Sequence, residues 1–322
     1  MNIWLVGAGP HAREYAKVLK SMGFEFEVIG RSASSARTFE AETGHAVHAG
    51  GLTRALKELA PPDQAIVSVN FEQLASVAIE LIEAGTQRIL LEKPGGLNLM
   101  ELGEIAKAAA KHHAEVLIAY NRRFYSSTRE ARQMIAEDGG PVSCVFEFTE
   151  WAHTITPTPL PKEVKASWFI ANSSHVVDLA FHLCGFPKDW KSWHAGTLDW
   201  HPSASRFCGS GITEHGVLFS YHADWEAPGR WAVEVLTRKR RFIFKPMEQL
   251  QVTLLASVKT EPVDIDDALD KAFKPGLYEE TRAFLARDDQ LFCTIDEQLQ
   301  HGAVYSEMAG YTDGSSTVRE AQ

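Results

Sequence analysis

The chain has 322 residues, of which 32 are Lys or Arg and 42 are Asp or Glu, giving a formal net charge of −10. That acidic balance argues against nucleic acid as the main partner, because phosphate backbones reward a basic surface. It leaves room for a phosphorylated small molecule in a locally basic cleft. No apolar run approaches the roughly 18 residues that span a bilayer, and the N-terminus lacks a signal peptide's basic segment and cleavage site. A cytoplasmic protein without a membrane partner is therefore expected.

The length suits one large or two medium domains. Cys144, Cys184, Cys208 and Cys293 form no CxxC pair, so reduced thiols are expected rather than a disulfide framework or a thiolate zinc site.

In chain order, the apolar run Ile3–Val6 feeds into Gly7-Ala8-Gly9-Pro10-His11-Ala12. This is the strand, glycine turn and helix start of a dinucleotide-binding fold. Gly7 permits the tight turn, Gly9 admits a pyrophosphate, and the small Ala12 lets the helix pack on its strand. The helix N-terminus offers unpaired N–H groups and a positive dipole end to an anion. Ala12, Tyr15, Ala16, Leu19 and Met22 then recur at helical spacing, and Gly23 is placed to end that helix.

Phe24–Ile29, Ala65–Val69, Arg88–Leu91 and Glu115–Ala119 read as further strands. Helices are expected through Leu74–Ile82 and over about Leu99–His112. Strands alternating with helices predict parallel βαβ units covered on both faces. After about residue 140 the pattern changes. Val142–Trp151, Lys191–Trp200, Gly216–Trp225, Trp231–Leu236, Arg241–Phe244 and Leu250–Leu255 are strand-like and rich in aromatic or β-branched residues, predicting a mostly antiparallel sheet. Ser173–Cys184, Leu277–Ala286 and Ile295–Ala309 read as helices, Thr156–Pro161 as an exposed loop, and the polar tail from Thr312 as mobile. The expected architecture is a Rossmann doubly wound parallel sheet over residues 1–120, then an α+β domain over 121–322 on an open, mostly antiparallel sheet, with the active cleft between them.

At the end of the second strand, an acidic residue would ordinarily hold the ribose 2′-hydroxyl of NAD. This chain has Gly30-Arg31-Ser32 there, with Ser34, Ser35 and Arg37 following. Arginine and serines suit a 2′-phosphate, so NADP is favoured over NAD.

The next strand ends in Leu91-Glu92-Lys93-Pro94-Gly-Gly, and Tyr120-Asn121-Arg122-Arg123-Phe124 follows the last strand of the first half. Further on, Trp168 leads through Asn172-Ser-Ser-His175-Val-Val-Asp178 to His182. On these motifs, in this order, the chain resembles the glucose–fructose oxidoreductase / inositol dehydrogenase family, the Gfo/Idh/MocA group. Two segments depart from the family pattern: Ser173-Ser174-His175 replaces a glycine pair, and Val69-Asn70-Phe71-Glu72 replaces a Thr-Pro-Asn-x-x-His run. Both lie where the resemblance places substrate or nicotinamide.

From the residues alone, Lys93 lies at the carboxyl end of a central strand, where such sheets bind ligands. His175, Asp178 and His182 share one helical face. That face reads as a satisfied polar cluster, as a metal site, or as acid/base machinery in which Asp178 orients His182. The resemblance favours the last, with Lys93, Asp178 and His182 as the catalytic group and no metal. It implies a dinucleotide held by Gly7, Gly9, Pro10, His11, Ala12, Arg31, Ser32, Val69, Asn70, Glu92, Lys93, Asn121 and Arg122. Substrate contacts are expected from Lys93, Arg123, Trp168, His175, Asp178 and His182. His201, His215 and His222 read as structural or exposed.

The implied activity is reversible hydride transfer between nicotinamide and a secondary alcohol or ketone of a sugar, sugar nucleotide or cyclitol, in a homodimer or homotetramer. A different class, a cofactor- or sugar-sensing protein that keeps the fold without catalysis, is the alternative. A metal-dependent hydrolase or lyase on the His175, Asp178, His182 face is a third.

Overall fold

The computed structural model describes residues 2–311; the polar tail from Thr312 lies outside the described residues. Contacts divide the chain into two compact units. The first comprises the chain up to Glu130 together with Asp264–Leu299, and the second Ala131–Val263 together with the chain from Gln300.

The first unit is built on strands β1 (Ile3–Val6), β2 (Glu27–Gly30), β3 (Val47–Ala49), β4 (Gln64–Val67), β5 (Arg88–Glu92) and β6 (Glu115–Ala119), all parallel. Their order is β6-β5-β4-β1-β2-β3, the Rossmann arrangement, in which the strand order reverses between β1 and β4. The strands read as continuous apolar runs because both faces are buried. Trp4 and Val6 face one core with Val67, Leu91 and Leu81. Ile3 and Leu5 face the other with Val28, Ile66 and Leu19.

Residues 264–299 join this unit through defined ties. A short strand, Cys293–Thr294, pairs antiparallel with β6. Arg88, fully buried in β5, donates to the Phe284 carbonyl at 3.2 Å and to Asp289 at 2.5 Å. A division at residue 120 accordingly does not coincide with these units, since the chain returns to the first sheet late in the sequence.

The second unit holds β7 (Ser143–Glu147), β8 (Pro187–Ala195), β9 (Arg206–Thr213), β10 (Leu218–Asp224), β11 (Ala232–Leu236), β12 (Arg240–Phe244), β13 (Gln251–Leu254) and β14 (Thr260–Pro262). They form one eight-stranded sheet in the order β14-β13-β12-β11-β7-β10-β9-β8. Only β7 and β10 pair in parallel, so the sheet is mostly antiparallel. The helix Ser174–Cys184 packs on β7 and β11, with Phe181 edge-on to Phe146 and Phe219.

Strand β9 carries no strand pattern in the sequence, because Gly209 and Gly211 break it. The structure supplies the reason for both glycines. They pair with Tyr221 and Phe219, and a Cβ on Gly209 would lie 2.4 Å from the Tyr221 ring and one on Gly211 2.8 Å from the Phe219 ring. Aromatic rings thus lie over bare backbone and replace the missing side chains. Among the described residues, no helix is long and apolar enough to cross a membrane.

Candidate functional site

The glycine turn behaves as its spacing requires. Gly7 follows β1, donates its N–H to the Ile29 carbonyl at 2.9 Å and has φ +131°. A Cβ there would lie 2.0 Å from the Ser68 carbonyl oxygen, so only glycine fits against β4. Gly9 caps the helix Pro10–Ser21, with Pro10 at its first position and no side-chain cap on its N–H groups. A Cβ on Gly9 would meet nothing within 4 Å, so the N-terminus faces open space rather than protein. Ala12 is fully buried in the core beneath.

A cavity of about 570 Å³ opens at the carboxyl ends of β1, β2 and β4, lined among others by Gly7, Gly9, Arg31, Ser32, Ser35, Gly50, Val69 and Asn70. Its volume is that of an ordinary small-ligand pocket. Ser32 caps the second helix, Ala33–Thr43, accepting from the Ser35 N–H at 3.2 Å. The Ser34 and Ser35 hydroxyls lie 3.1 and 2.8 Å from its own. Arg31 is exposed beside them and, among the described residues, forms no ion pair or hydrogen bond. A helix N-terminus, clustered hydroxyls and an uncommitted guanidinium therefore converge at the end of β2. These groups can hold an anionic group of a dinucleotide.

Glu92 ends β5 and Lys93 follows it. The Glu92 carboxylate accepts from His11 Nε2 at 2.6 Å and from the Tyr15 hydroxyl at 2.8 Å, joining the strand end to the helix behind the glycine turn. Lys93 is buried, its ammonium 5.2 Å from the centre of the Phe71 ring. Buried Gln298 donates to the Pro94 carbonyl at 3.0 Å and holds the backbone just past Lys93.

Asn121 and Arg122 lie in the short helix after β6. Asn121 donates to the Pro275 carbonyl at 3.0 Å, and Arg122 reaches the Asn121 side chain. Arg123 is buried, donating to the Leu291 carbonyl at 3.2 Å with its guanidinium 5.6 Å from the Tyr120 ring. These contacts tie the short helix to the returning 264–299 segment.

In the second unit, a π-helical turn over Phe169–Ser173 leads into the helix Ser174–Cys184. This turn sets the rotation at which His175, Asp178 and His182 leave the backbone. His175 and Asp178 are buried. Trp168, just before the turn, packs edge-on to Trp200 at 6.4 Å. Glu150 is also buried, and its Oε1 accepts from Asn172 and from Ser173, each at 2.9 Å. Burial pushes the Glu150 carboxyl up to about 7, against the pull of the Ser173 hydroxyl and the Arg230 charge. Among the described residues, no group of three or more His, Cys, Asp or Glu side chains is placed to hold a metal ion, the His175, Asp178, His182 face included.

Residues 1–120 match the model of the Gfo/Idh/MocA group, an oxidoreductase family with an NAD-binding Rossmann fold. Over these residues the chain is similar to that family. No curated protein shows a significant match to the chain. Among solved structures, the UDP-N-acetylglucosamine 3-dehydrogenase GnnA of Acidithiobacillus ferrooxidans is similar with a TM-score of 0.74 and 18% identity, covering 97% of each chain. The WlbA dehydrogenase of Chromobacterium violaceum, in complex with NADH and UDP-GlcNAcA, has a TM-score of 0.70 and 18% identity over 98% of this chain and 94% of its own. A levoglucosan dehydrogenase, in complex with NADH and L-sorbose, has a TM-score of 0.76 and 15% identity over 96% of each chain. The chain shares their fold over nearly its full length.

Within the first unit, Gly7, Gly9, Arg31, Ser32, Val69 and Asn70 meet at one cavity, and His11 meets Glu92. Sequence patterns did not single out Glu280, which lies 3.2 Å from the Tyr15 hydroxyl, nor Lys274, which lies 3.1 Å from His11 Nδ1. In the second unit they missed Glu150 and Arg230, a pair 3.6 Å apart.

Proposed function

We propose that the protein is an NADP(H)-dependent oxidoreductase that moves a hydride between nicotinamide and a secondary alcohol or ketone of a sugar, sugar nucleotide or cyclitol. One observation carries this reading: the glycine turn opens onto a cavity with Arg31, Ser32 and Ser35 at its rim, while Glu92 of the Glu-Lys-Pro motif is hydrogen-bonded to the same helix. The names of GnnA, WlbA and levoglucosan dehydrogenase supply the substrate class.

Gly7, Gly9, Pro10, His11 and Ala12 would hold the pyrophosphate, Arg31 and Ser32 the ribose phosphate, and Val69, Asn70, Asn121 and Arg122 the nicotinamide side. The bound nicotinamide supplies the hydride donor or acceptor. Alcohol oxidation also requires the hydroxyl proton to leave. His182 has a side chain suited to take it near neutral pH, with Asp178 orienting the imidazole. Lys93, as an ammonium, stabilises the developing alkoxide. His175 and Trp168 line the substrate in this scheme, whereas Arg123, bound to Leu291, supports the fold of the first unit.

The second sheet leaves Val145, Trp193 and Leu218 exposed on its strands. We propose that this face pairs copies of the chain into a homodimer or homotetramer.

The deciding experiment is a turnover assay with NADP and with NAD over a panel of neutral and acidic sugars, sugar nucleotides and cyclitols. Turnover with NADP preferred supports the proposal. NADPH binding without turnover across the panel would replace it with a non-catalytic nucleotide sensor.

A further inference from the structure

Arg230 lies outside every motif named above and is held in an unusual way. Its guanidinium carbon lies 4.8 Å from the Trp151 ring centre and 4.5 Å from the Trp231 ring centre. The indoles therefore cover the group through cation–π contact. The frame around them is fixed. Trp151 Nε1 donates to the Gly229 carbonyl at 2.8 Å, and the Arg230 N–H donates to Glu147 at 3.1 Å. A Cβ on Gly229 would lie 2.3 Å from that same Glu147 carboxylate.

What the indoles leave available is the edge of the guanidinium, where its N–H donors point. Glu150 is the nearest carboxylate, but its Oε2 is 3.6 Å from Arg230 Nη1, too far for a hydrogen bond. The hydrogen bonds that Glu150 accepts from Asn172 and Ser173 go to its other oxygen, Oε1. Among the described residues the guanidinium donates no hydrogen bond, and its side chain is 45% exposed. Trp151 is likewise 45% exposed and presents an indole surface next to it. The cluster adjoins the candidate acid/base helix, because Trp231 packs 6.0 Å from His175.

A planar fork with its orientation already fixed matches a planar carboxylate, and an exposed indole suits the C–H face of a sugar. Resting on the oxidoreductase reading for the word substrate, we propose that Arg230 binds the carboxylate of an acidic sugar, with Trp151 as the wall for its ring. A phosphate dianion fits less well, because the Glu150 and Glu147 carboxyls lie close to this one guanidinium and disfavour a second negative charge.

The test is calorimetric titration of the full-length protein, with NADPH present, by glucuronate, glucose 6-phosphate and glucose. Glucuronate should bind about tenfold or more tighter than glucose, the scale of one charge-assisted contact. Arg230→Met should reduce glucuronate to the level of glucose while glucose itself is little changed, and Arg230→Lys should lose most of the preference because it keeps the charge but not the fork. Glu150→Gln should retain it. If Arg230→Met does not fold, Arg230→Lys decides alone. Equal affinities in the wild type, a preference that survives without Arg230, tighter glucose 6-phosphate, or no binding by any probe would each overturn the assignment. The two proposals separate cleanly. Arg230-dependent glucuronate binding without turnover of any sugar keeps the subsite and removes the oxidoreductase reading; turnover of neutral and acidic sugars alike does the reverse.

Discussion

His11 and Glu92, 81 residues apart, are joined at 2.6 Å, and the proton arithmetic of that contact extends in both directions. Lys274 lies 3.1 Å from His11 Nδ1. A carboxylate only accepts, so His11 Nε2 carries a proton and donates it to Glu92. Tyr15 has one proton and two carboxyl neighbours, Glu92 at 2.8 Å and Glu280 at 3.2 Å. Burial pushes Glu92 up, but the His11 charge and hydrogen bond, the Tyr15 hydrogen bond and the Lys93 charge together bring it below its usual range. Burial, followed by the Glu92 charge, pushes Glu280 well above the carboxylate range. The Tyr15 hydroxyl is shared between the two carboxyls, the shorter contact going to Glu92, and Glu280 is the one that burial and the Glu92 charge hold toward its neutral form.

This protonation pattern predicts opposite outcomes for two isosteric changes. A carboxyl with a raised folded pKa binds more protons native than unfolded above its ordinary pKa, so its contribution to stability falls as pH rises. Glu280→Gln should be nearly neutral at pH 5 and stabilising relative to wild type at pH 8. Glu92→Gln removes a buried anion with two donors aimed at it, and should cost about 1–3 kcal/mol at neutral pH. Urea denaturation of both variants at the two pH values checks this. A Glu280→Gln variant destabilised at pH 8 would remove the neutral carboxyl from the chain.

Arg31 stands uncommitted beside Ser32, Ser34 and Ser35 at the end of β2. Hydrogen bonds to charged groups contribute about 1.5–3 kcal/mol. Arg31→Ala should therefore weaken NADPH binding roughly tenfold to a hundredfold and leave NADH nearly unchanged, as read by dinucleotide titration. Equal losses for the two dinucleotides would take Arg31 away from the ribose phosphate.

Lys93 is anchored on both sides of its backbone, by the Glu92 contacts and by Gln298 on Pro94. Lys93→Met removes the ammonium and keeps most of the stem. Loss of one stabilising donor at a reacting oxygen typically costs about a hundredfold to a thousandfold in turnover. That loss, with NADPH affinity largely intact, is the expected outcome once a substrate is in hand. Near-normal kcat would take Lys93 out of the chemistry.

The parts of this protein legible in its sequence are those written in local periodicity. The apolar runs Ile3–Val6 and Arg88–Leu91, the glycine turn and the helix after it each carry their own pattern within a dozen residues. Strand β9 was hidden because the residues that suit it, Gly209 and Gly211, are chosen for the rings of Tyr221 and Phe219 and not for strand propensity. The late return to the first sheet was hidden for another reason. Arg88 and Asp289 are 201 residues apart, and Tyr15 and Glu280 are 265 apart, so no spacing relates them. Glu150 and Arg230 belong to the same class of pair. The place of Arg31 and Ser32 just after β2 was readable because it follows from the strand pattern and not from any distant partner.

His201 gives a pH dependence of opposite sign to Glu280. The ring is fully buried, with Nδ1 2.7 Å from the Ala204 carbonyl and Nε2 2.9 Å from the Tyr311 hydroxyl. Nδ1 must donate to the carbonyl, so Nε2 accepts from Tyr311, which in turn accepts from the Phe169 N–H at 3.2 Å. Burial lowers the His201 pKa to about 4, against the pull of the Ala204 carbonyl, which favours the charged ring; its ordinary value is near 6.5. Between those values the unfolded chain binds the proton that the native one refuses, so stability rises with pH. The contribution is complete above about pH 6.5 and is lost on acidification toward pH 4, to a limit of roughly 3 kcal/mol. His201→Gln should cost stability at pH 7 while flattening the decline between pH 7 and pH 4.5, measured as urea midpoints. An acid slope as steep as that of the wild type would show that another group governs it.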